Sequence, residues 1–343
     1  MTDRIDDQEA WSRSSDHLGN LANILKDLGG GATLLYELIQ NANDAHAEKV
    51  SFTVSDEGLT VWNSGVFSDC GHQTEFRQCP WKVYEGRRSC DLHSFRQVAG
   101  RHKADDDATT GAFGVGFTAV YQVTDHPELV TGERHLVLDE SRPEDDRIQL
   151  CPGGCARDHT TDGTTFHLPW AREQTALRRA LGASTLTESD IIELYSQMLD
   201  AAGSALVFLE WVQLLEVVAG TRTTTVTRER AEERVTISID GRPHEWLLLE
   251  QTADAADALK EQYGQGNSRP ALVQVAVPLD GTLSGRIYAD LPTETPTGWR
   301  GHINGSFYPR QDRKTVEFDG SGFRGKWNDM LVDAAAKGMA AHL

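Results

Sequence analysis

Three polar side chains, Glu37, Asn41 and Asp44, belong to a segment whose apolar pattern predicts a helix over residues 33–45. Their i, i+4, i+7 spacing places them on one face of that helix. A carboxylate can orient or deprotonate a water molecule, and an amide oxygen one turn away can complete the coordination shell of Mg²⁺. The same pattern fits an ordinary amphipathic helix with a solvated polar stripe. The helix alone leaves both interpretations open.

A glycine-rich segment over residues 111–117 could bind phosphate. Its glycines, Gly111, Gly114 and Gly116, directly precede a short helix predicted to end near residue 123. Glycine lets the backbone approach a ligand closely, and the free N–H groups at a helix start attract phosphate. The G-x-x-G-x-G spacing differs from the dinucleotide fingerprint, and the chain has no G-x-x-x-x-G-K-[ST] motif. Many glycine-rich segments, however, only make turns.

Soft metal ligands are concentrated between residues 70 and 93. They are Cys70, His72, Cys79, Cys90 and His93. Zinc held by these side chains would cross-link a loop with little apolar content. Their spacing matches no standard zinc finger, and free thiols are usual in cytosolic proteins. A zinc site and a set of ordinary thiols and imidazoles both remain open.

The overall composition limits the possible functions. The 343 residues carry a formal net charge of −19, which argues against a broad nucleic-acid-binding surface. We find no apolar run long enough to span a membrane and no signal peptide. The five cysteines, an odd number, favour a reducing compartment, and the cytoplasm is the expected location.

The order of predicted elements suggests two domains, 1–172 and 173–343. In the first, helices are predicted over residues 6–28 and 33–45, and strands over 49–54, 59–62, 134–139 and 164–168. The second begins with a helix over 188–202. Seven strand-like runs follow between residues 205 and 290, and a helix begins near residue 325.

Taken together, the two motifs resemble those of GHKL ATPases. Residues 37–45, E-L-I-Q-N-A-N-D-A, are similar to the N-box of that superfamily. The sequence G-A-F-G-V-G-F at 111–117 is similar to its second glycine box, in the form that chaperones carry. Residues 113–127, and later 291–298, 302–307 and 327–328, resemble sacsin and its bacterial relatives. This resemblance implies an α+β fold class, with a Bergerat-type α/β sandwich ATPase domain followed by an αβ middle-type domain.

The resemblance implies a role for each matching residue near the phosphates. Glu37 would be the general base, Asn41 the Mg²⁺ ligand and Asp44 part of the pocket wall. The lid would carry Lys103 as a phosphate contact. Backbone contacts to phosphate would come from Gly111, Gly114, Val115, Gly116 and Phe117.

Further implied residues lie at the adenine and at the γ-phosphate. Asn63 and Gly65 occupy the first glycine box, where chaperones place an aspartate, and Thr164 would assist adenine binding. An asparagine can accept the hydrogen bond without charge assistance, which implies weaker adenine binding. Arg310 and Arg313 fall where a second domain supplies a cation to the γ-phosphate.

The sequence therefore predicts an ATPase that binds ATP and Mg²⁺, hydrolyses ATP slowly and switches conformation as a lid and two domains close. The alternative is a non-hydrolysing nucleotide-binding scaffold within a larger assembly. Partners would be ATP and ADP, a protein client or partner subunit and, in a nucleotide-dependent dimer, a second copy. Neither a membrane nor a broad nucleic-acid partner is expected.

Overall fold

The computed structural model describes residues 16–71, 79–82, 89–95, 116–153, 155, 160–263, 270–280, 284–310, 314–318, 320 and 322–342. Within these ranges the α-helices are α1 (His17–Asp27), α2 (Gly31–Asp44), α3 (Asp91–Phe95), α4 (Ala176–Leu181), α5 (Glu188–Ala205), α6 (Ala256–Gln262) and α7 (Phe323–His342). Short 3₁₀ turns cover Pro80–Lys82, Phe117–Gln122 and Glu144–Asp146.

The strands of the first half are β1 (Lys49–Val54), β2 (Gly58–Asn63), β3 (Glu128–Thr131), β4 (Arg134–Leu138), β5 (Ile148–Leu150) and β6 (Thr164–Pro169). Those of the second half are β7 (Leu214–Ala219), β8 (Arg222–Ala231), β9 (Arg234–Ile239), β10 (Arg242–Thr252), β11 (Leu272–Pro278), β12 (Arg286–Ala289), β13 (Leu291–Pro296) and β14 (His302–Gly305).

All of these described strands belong to one mixed sheet of fourteen strands. Its order is β13-β12-β14-β11-β10-β9-β8-β7-β1-β2-β6-β3-β4-β5. The predicted fold class, a Bergerat-type α/β sandwich ATPase domain followed by an αβ middle-type domain, is wrong. The sheet runs without interruption from one half of the chain to the other, because β1 pairs in parallel with β7. The boundary at residue 172 stays a prediction.

Residues at and just after the end of α2 hold β7 beside β1, where the two halves of the sheet join. The Asn43 side-chain oxygen accepts hydrogen bonds from the backbone N–H groups of Trp211 and Val212, at 3.0 and 3.4 Å. The His46 ring stacks on Trp211 with centroids 4.2 Å apart. The Glu48 carbonyl oxygen then accepts from the Gln213 N–H at 2.8 Å. These contacts bring β7 beside β1, a pairing between residues far apart in the sequence.

The glycine run at residues 29–31 ends α1 and begins α2, as the sequence predicts. Gly30 has φ +108°, a conformation that L side chains rarely adopt. A β-carbon on Gly31 would lie 2.2 Å from the Leu194 carbonyl oxygen, so glycine permits the close packing of α2 on α5. The N–H groups of Gly30 and Gly31 donate to the side chains of Gln122 and Gln197, at 2.8 and 2.7 Å.

Two hydrophobic clusters lie against the sheet. The larger includes side chains from both halves of the chain, such as Leu38 of α2, Phe52 of β1 and Leu215 of β7. The smaller surrounds the fully buried Trp327 of α7, which packs on β10, β11 and β14. Most predicted elements are confirmed within one to four residues. The strand predicted at 205–210 is wrong: residue 205 ends α5 and the following residues form a turn. The apolar run is explained by the burial of this turn and not by strand pairing.

Candidate functional site

The polar face of α2 is buried. Glu37, Gln40 and Asn41 retain only 6, 6 and 7% exposure of their surface, while Asp44 at the end of the helix is half-buried. The interpretation as a solvated stripe therefore fails for Glu37 and Asn41, two of the three residues in the predicted stripe. Burying a carboxylate and two amides costs free energy unless they are compensated by polar groups or by a ligand.

Gly116 lies directly against the Glu37 carboxylate. A β-carbon built on Gly116 would be 1.9 Å from Oε2 of Glu37 and 3.0 Å from its carboxyl carbon. Phe117 begins the 3₁₀ turn Phe117–Gln122 and is buried. The structure thus brings together one predicted phosphate-contacting residue and the predicted base. Of the other residues assigned to the phosphates, Lys103, Gly111, Gly114 and Val115 lie outside the described part of the chain.

The residues assigned to adenine form a buried network of hydrogen bonds. Asn63 of β2 pairs with Thr164 of β6 in the sheet register, and both are buried. The Asn63 Oδ1 accepts from the Gly65 N–H at 3.0 Å, and the Thr164 hydroxyl donates to the Gly65 carbonyl oxygen at 2.7 Å. The Thr131 hydroxyl lies 2.9 Å from that of Thr164 and accepts from the Phe67 N–H at 3.0 Å. Asn63, Gly65 and Thr164 therefore form one hydrogen-bonded unit.

A cavity of about 810 Å³ opens between α2, α5 and the strands β12 to β14. Its lining from α2 includes Tyr36, Glu37 and Gln40. Two cationic residues line it from the second half of the chain, Arg286 and Lys314. Sequence reasoning missed both as site residues; Lys314 belongs to the same segment as the predicted arginines, while nothing in the sequence marks Arg286.

Arg310, one of the two arginines predicted to reach the γ-phosphate, is more than half exposed and pairs with Glu317 at 3.4 Å. Its neighbour Pro309 lines the cavity, whereas Arg310 does not. Arg313 falls in a stretch that the structure does not describe. The assignment of either arginine to the γ-phosphate stays a prediction.

A buried ion pair anchors the 3₁₀ turn that follows Gly116. Nη1 of Arg178, a residue without exposed surface, lies 2.9 Å from Oδ1 of Asp125. Arg178 also donates to the carbonyl oxygens of Gln122 and Ser184, at 2.7 and 2.9 Å. The Thr175 hydroxyl donates to the other carboxylate oxygen of Asp125 at 2.6 Å. Sequence reasoning missed this clamp, because two charged residues 53 positions apart carry no local signal.

Burial shifts the pKa of two groups that line the cavity. The pKa of His302 is lowered to about 4, because burial and the nearby Arg286 charge both disfavour the imidazolium form. The His302 Nδ1 accepts a hydrogen bond from the Arg286 backbone N–H at 3.0 Å, so this nitrogen carries no proton. Burial also raises the pKa of the Tyr36 hydroxyl, which lies 3.1 Å from the Ser204 hydroxyl.

Four of the five predicted zinc ligands lie together. The thiols of Cys70, Cys79 and Cys90 and the imidazole of His93 place their ligand atoms within 4.8 Å of one another. Cys79, Cys90 and His93 are buried and Cys70 is half-buried. The fifth candidate, His72, falls outside the described residues.

A second group of soft ligands consists of His135, Cys151 and Cys155. The two thiol sulfurs are 3.5 Å apart, and the Cys155 sulfur lies 3.7 Å from Nδ1 of His135. Nε2 of the same ring lies 3.0 Å from a Glu128 carboxylate oxygen. This group is more open than the first, since Cys151 is half-buried and Cys155 is exposed.

Comparison with known proteins finds a similarity over residues 15–150. Residues 15–150 match the family model of the Sacsin domain. Human sacsin is 32% identical to this chain over 124 residues, which are 35% of the chain and 3% of sacsin. The chain thus corresponds to a very small part of that relative. The predicted similarity to sacsin-like proteins is confirmed over this segment, which contains Glu37, Asn41, Asn63 and Gly116. The relation to GHKL ATPases stays a prediction.

In the described part of the chain, no helix combines the length and the apolar character that a membrane span requires.

Proposed function

We propose that this chain binds ATP–Mg²⁺ on the buried polar face of α2 and hydrolyses the nucleotide slowly. The observation that carries the proposal is the contact between Gly116 and the buried carboxylate of Glu37. It joins the N-box-like motif to the end of the glycine-rich motif, although the two are far apart in the sequence. Both motifs resemble those of GHKL ATPases, whereas the single fourteen-stranded sheet does not have the predicted Bergerat-type arrangement.

Each residue has a distinct role at the phosphate end of the proposed site. Glu37 activates a water molecule, and Asn41, one helical turn further on, supplies an oxygen to Mg²⁺. Gly116 offers its backbone without a side chain between it and the γ-phosphate. Arg286 and Lys314 line the same cavity as Glu37 and give its wall positive charge. This arrangement meets the main need of phosphoryl transfer, which is positioning and charge stabilisation.

The adenine end of the proposed site rests on Asn63 and Thr164. The side-chain oxygen Oδ1 of Asn63 already accepts one hydrogen bond from the Gly65 N–H, and its second lone pair can accept from the adenine amino group. This bond lacks the charge assistance that a carboxylate would give. We therefore expect moderate affinity and incomplete discrimination between adenine and other bases.

Nucleotide binding of this kind would drive a conformational switch related to that of chaperones. The similarity of residues 15–150 to the Sacsin domain supports this view, and the lid assigned to the segment around Lys103 would close over the nucleotide. The proposed location is the cytoplasm. The proposed partners are a protein client, a partner subunit or a second copy in a nucleotide-dependent dimer.

Thermal unfolding with increasing ATP–Mg²⁺ tests binding, and phosphate release tests turnover. A ligand at ten times its Kd stabilises the folded state by about 1.4 kcal/mol, so the melting temperature should rise. Asn41→Ala should remove the Mg²⁺-dependent part of this rise. Glu37→Ala should retain binding and lose turnover, whereas the exposed Glu193→Ala of α5 should retain both.

The outcomes separate the proposal from its alternative. A melting temperature that stays constant up to millimolar ATP–Mg²⁺ would refute nucleotide binding. Binding without turnover in the wild type would instead identify a non-hydrolysing scaffold. Turnover that persists unchanged in Glu37→Ala would remove Glu37 from the role of base.

A further inference from the structure

We propose that Cys70, Cys79, Cys90 and His93 together hold one Zn²⁺ ion. Their ligand atoms all lie within 4.8 Å of one another, which leaves a central position that a single ion can share. Three thiolates and one imidazole are a ligand set that zinc prefers for structural sites with four protein ligands. None of the five cysteines forms a disulfide, so these thiols are available for a metal.

The observed separations suit tetrahedral coordination. Zinc bonds of 2.3 Å to sulfur and 2.0–2.1 Å to nitrogen imply ligand atoms about 3.5–3.8 Å apart. Nδ1 of His93 lies 3.4 Å from the Cys70 sulfur and 3.0 Å from the Cys90 sulfur. Small side-chain rotations would bring these atoms to the ideal spacing. The common position of Nδ1 between two thiols also identifies it as the ligating nitrogen.

Hydrogen bonds join the described segments that carry Cys70 and Cys90. The Asp91 carboxylate accepts from both the N–H and the hydroxyl of Ser68, at 2.9 and 2.6 Å. The Ser68 hydroxyl in turn accepts from the Asp91 N–H at 3.0 Å. These bonds hold the segment before Cys70 against the start of α3. The Cys90 N–H donates to the Cys79 sulfur at 3.5 Å, a contact that stabilises a metal-bound thiolate.

The proposed ion is structural, because four protein ligands leave no open coordination position. Its place in the fold gives it a definite task. Phe67 and Phe95 flank the ligand segments and pack edge-to-face at 5.7 Å. Phe95 also packs on Phe117 at 5.1 Å, and Phe117 directly follows Gly116. The ion would therefore fix one wall of the region proposed to bind nucleotide. The metal site itself does not depend on nucleotide binding.

The direct test measures zinc in protein purified without chelator. We expect the wild type to contain at least one equivalent, and Cys90→Ser to contain one equivalent less. The matched control is the double variant Cys151→Ser/Cys155→Ser, which removes two thiols near a histidine outside the proposed site. This control should keep the equivalent that Cys90→Ser loses. The opposite pattern would assign the metal to the group around His135 and overturn the proposal.

Cobalt substitution in the wild-type chain keeps the test decisive if Cys90→Ser fails to fold. After chelator treatment, Co²⁺ should give intense thiolate-to-metal charge-transfer absorption together with the d–d bands of a tetrahedral site. Added Zn²⁺ should abolish both. The double variant at Cys151 and Cys155 should give the same spectrum. Less than about a tenth of an equivalent of zinc in the wild type, with no charge-transfer band, would show that no structural site exists.

Discussion

A β-carbon on Gly116 would lie 1.9 Å from Oε2 of Glu37, although the backbone of Gly116 has the ordinary helical angles φ −66° and ψ −42°. A side chain at this position would therefore have to displace the buried Glu37 carboxylate, and backbone strain plays no part. We expect Gly116→Ala to destabilise the wild type by about 1–3 kcal/mol, the usual cost of an overpacked contact. In a Glu37→Ala background the same substitution should cost much less. Urea unfolding of the two single variants and the double variant measures this coupling.

Gly29→Ala provides the control for this comparison of the single and double variants. A β-carbon on Gly29 would meet no atom within 4 Å, so this substitution should change the unfolding free energy little in either background. Strictly additive effects of Gly116→Ala and Glu37→Ala would contradict the close approach of the two residues.

The ion pair of Arg178 and Asp125 leads to a second prediction. Removing one partner of a buried pair leaves an uncompensated charge, so Asp125→Ala should lower the unfolding free energy by about 3–5 kcal/mol. The exposed pair of Arg172 and Glu188 offers the matched comparison, because solvent screens it and Glu188→Ala should cost less than about 1 kcal/mol. Denaturant unfolding of the two variants decides the matter. Equal losses would show that the buried clamp contributes no more than a surface contact.

The local elements could be predicted from the sequence because their signals are local. The alternation of apolar residues in β1 and the glycine run before α2 each specify structure within a few residues. The single sheet could not be predicted, because the pairing of β1 with β7 depends on contacts of Asn43 and His46 with Trp211. Asn43 belongs to the N-box-like motif, in which the helical spacing marks Asn41 and Asp44. Nothing in the motif indicates that Asn43 binds the backbone before β7.

In the candidate site, too, local features could be predicted from the sequence and long-range contacts could not. The helical spacing of Glu37 and Asn41 predicts a shared face, and their burial needs the tertiary structure. The predicted ligands Cys70, Cys79, Cys90 and His93 do lie together, although their spacing matches no standard finger. Arg286 enters the cavity wall from β12, and no sequence signal links that strand to α2. Side chains that meet across the sheet are thus the part that sequence patterns miss.

The buried His302 predicts a pH dependence of stability. Its pKa is about 4 in the folded protein and about 6.5 in an unfolded chain. Well above pH 6.5 the His302 imidazole is neutral in both the folded and the unfolded chain. Between pH 6.5 and 4 only the unfolded state gains the proton, so acidification destabilises the fold. The contribution reaches about 3 kcal/mol near pH 4.

The measurement is the unfolding free energy from pH 4 to 7 for the wild type and for His302→Asn. Asparagine keeps an acceptor for the Arg286 N–H but does not titrate. The loss of stability across this window should therefore be smaller in the variant. His244→Asn removes a partly exposed histidine and serves as the control. Parallel curves for the wild type and His302→Asn would rule out the predicted linkage.

The last prediction concerns the cation that reaches the γ-phosphate in the proposed site. Lys314 lines the cavity together with Glu37, whereas Arg310 is exposed and pairs with Glu317. If the γ-phosphate lies beside Glu37, Lys314→Ala should reduce ATP turnover by about 10²–10³-fold, the loss expected for one transition-state contact. ADP affinity should change little, because ADP lacks the group that Lys314 would contact.

Arg310→Ala is the matched variant in the same segment, and phosphate-release assays with ADP titrations compare the two. Breaking an exposed ion pair should leave turnover nearly unchanged. A larger loss in Arg310→Ala than in Lys314→Ala would instead support the sequence-based assignment of the γ-phosphate to Arg310. That result would require Arg310 to move toward the cavity when ATP binds, since it does not line the cavity in this structure. Normal turnover in both variants would mean that neither residue contributes to the chemistry. Arg286, which lines the same cavity, would then be the next cation to test.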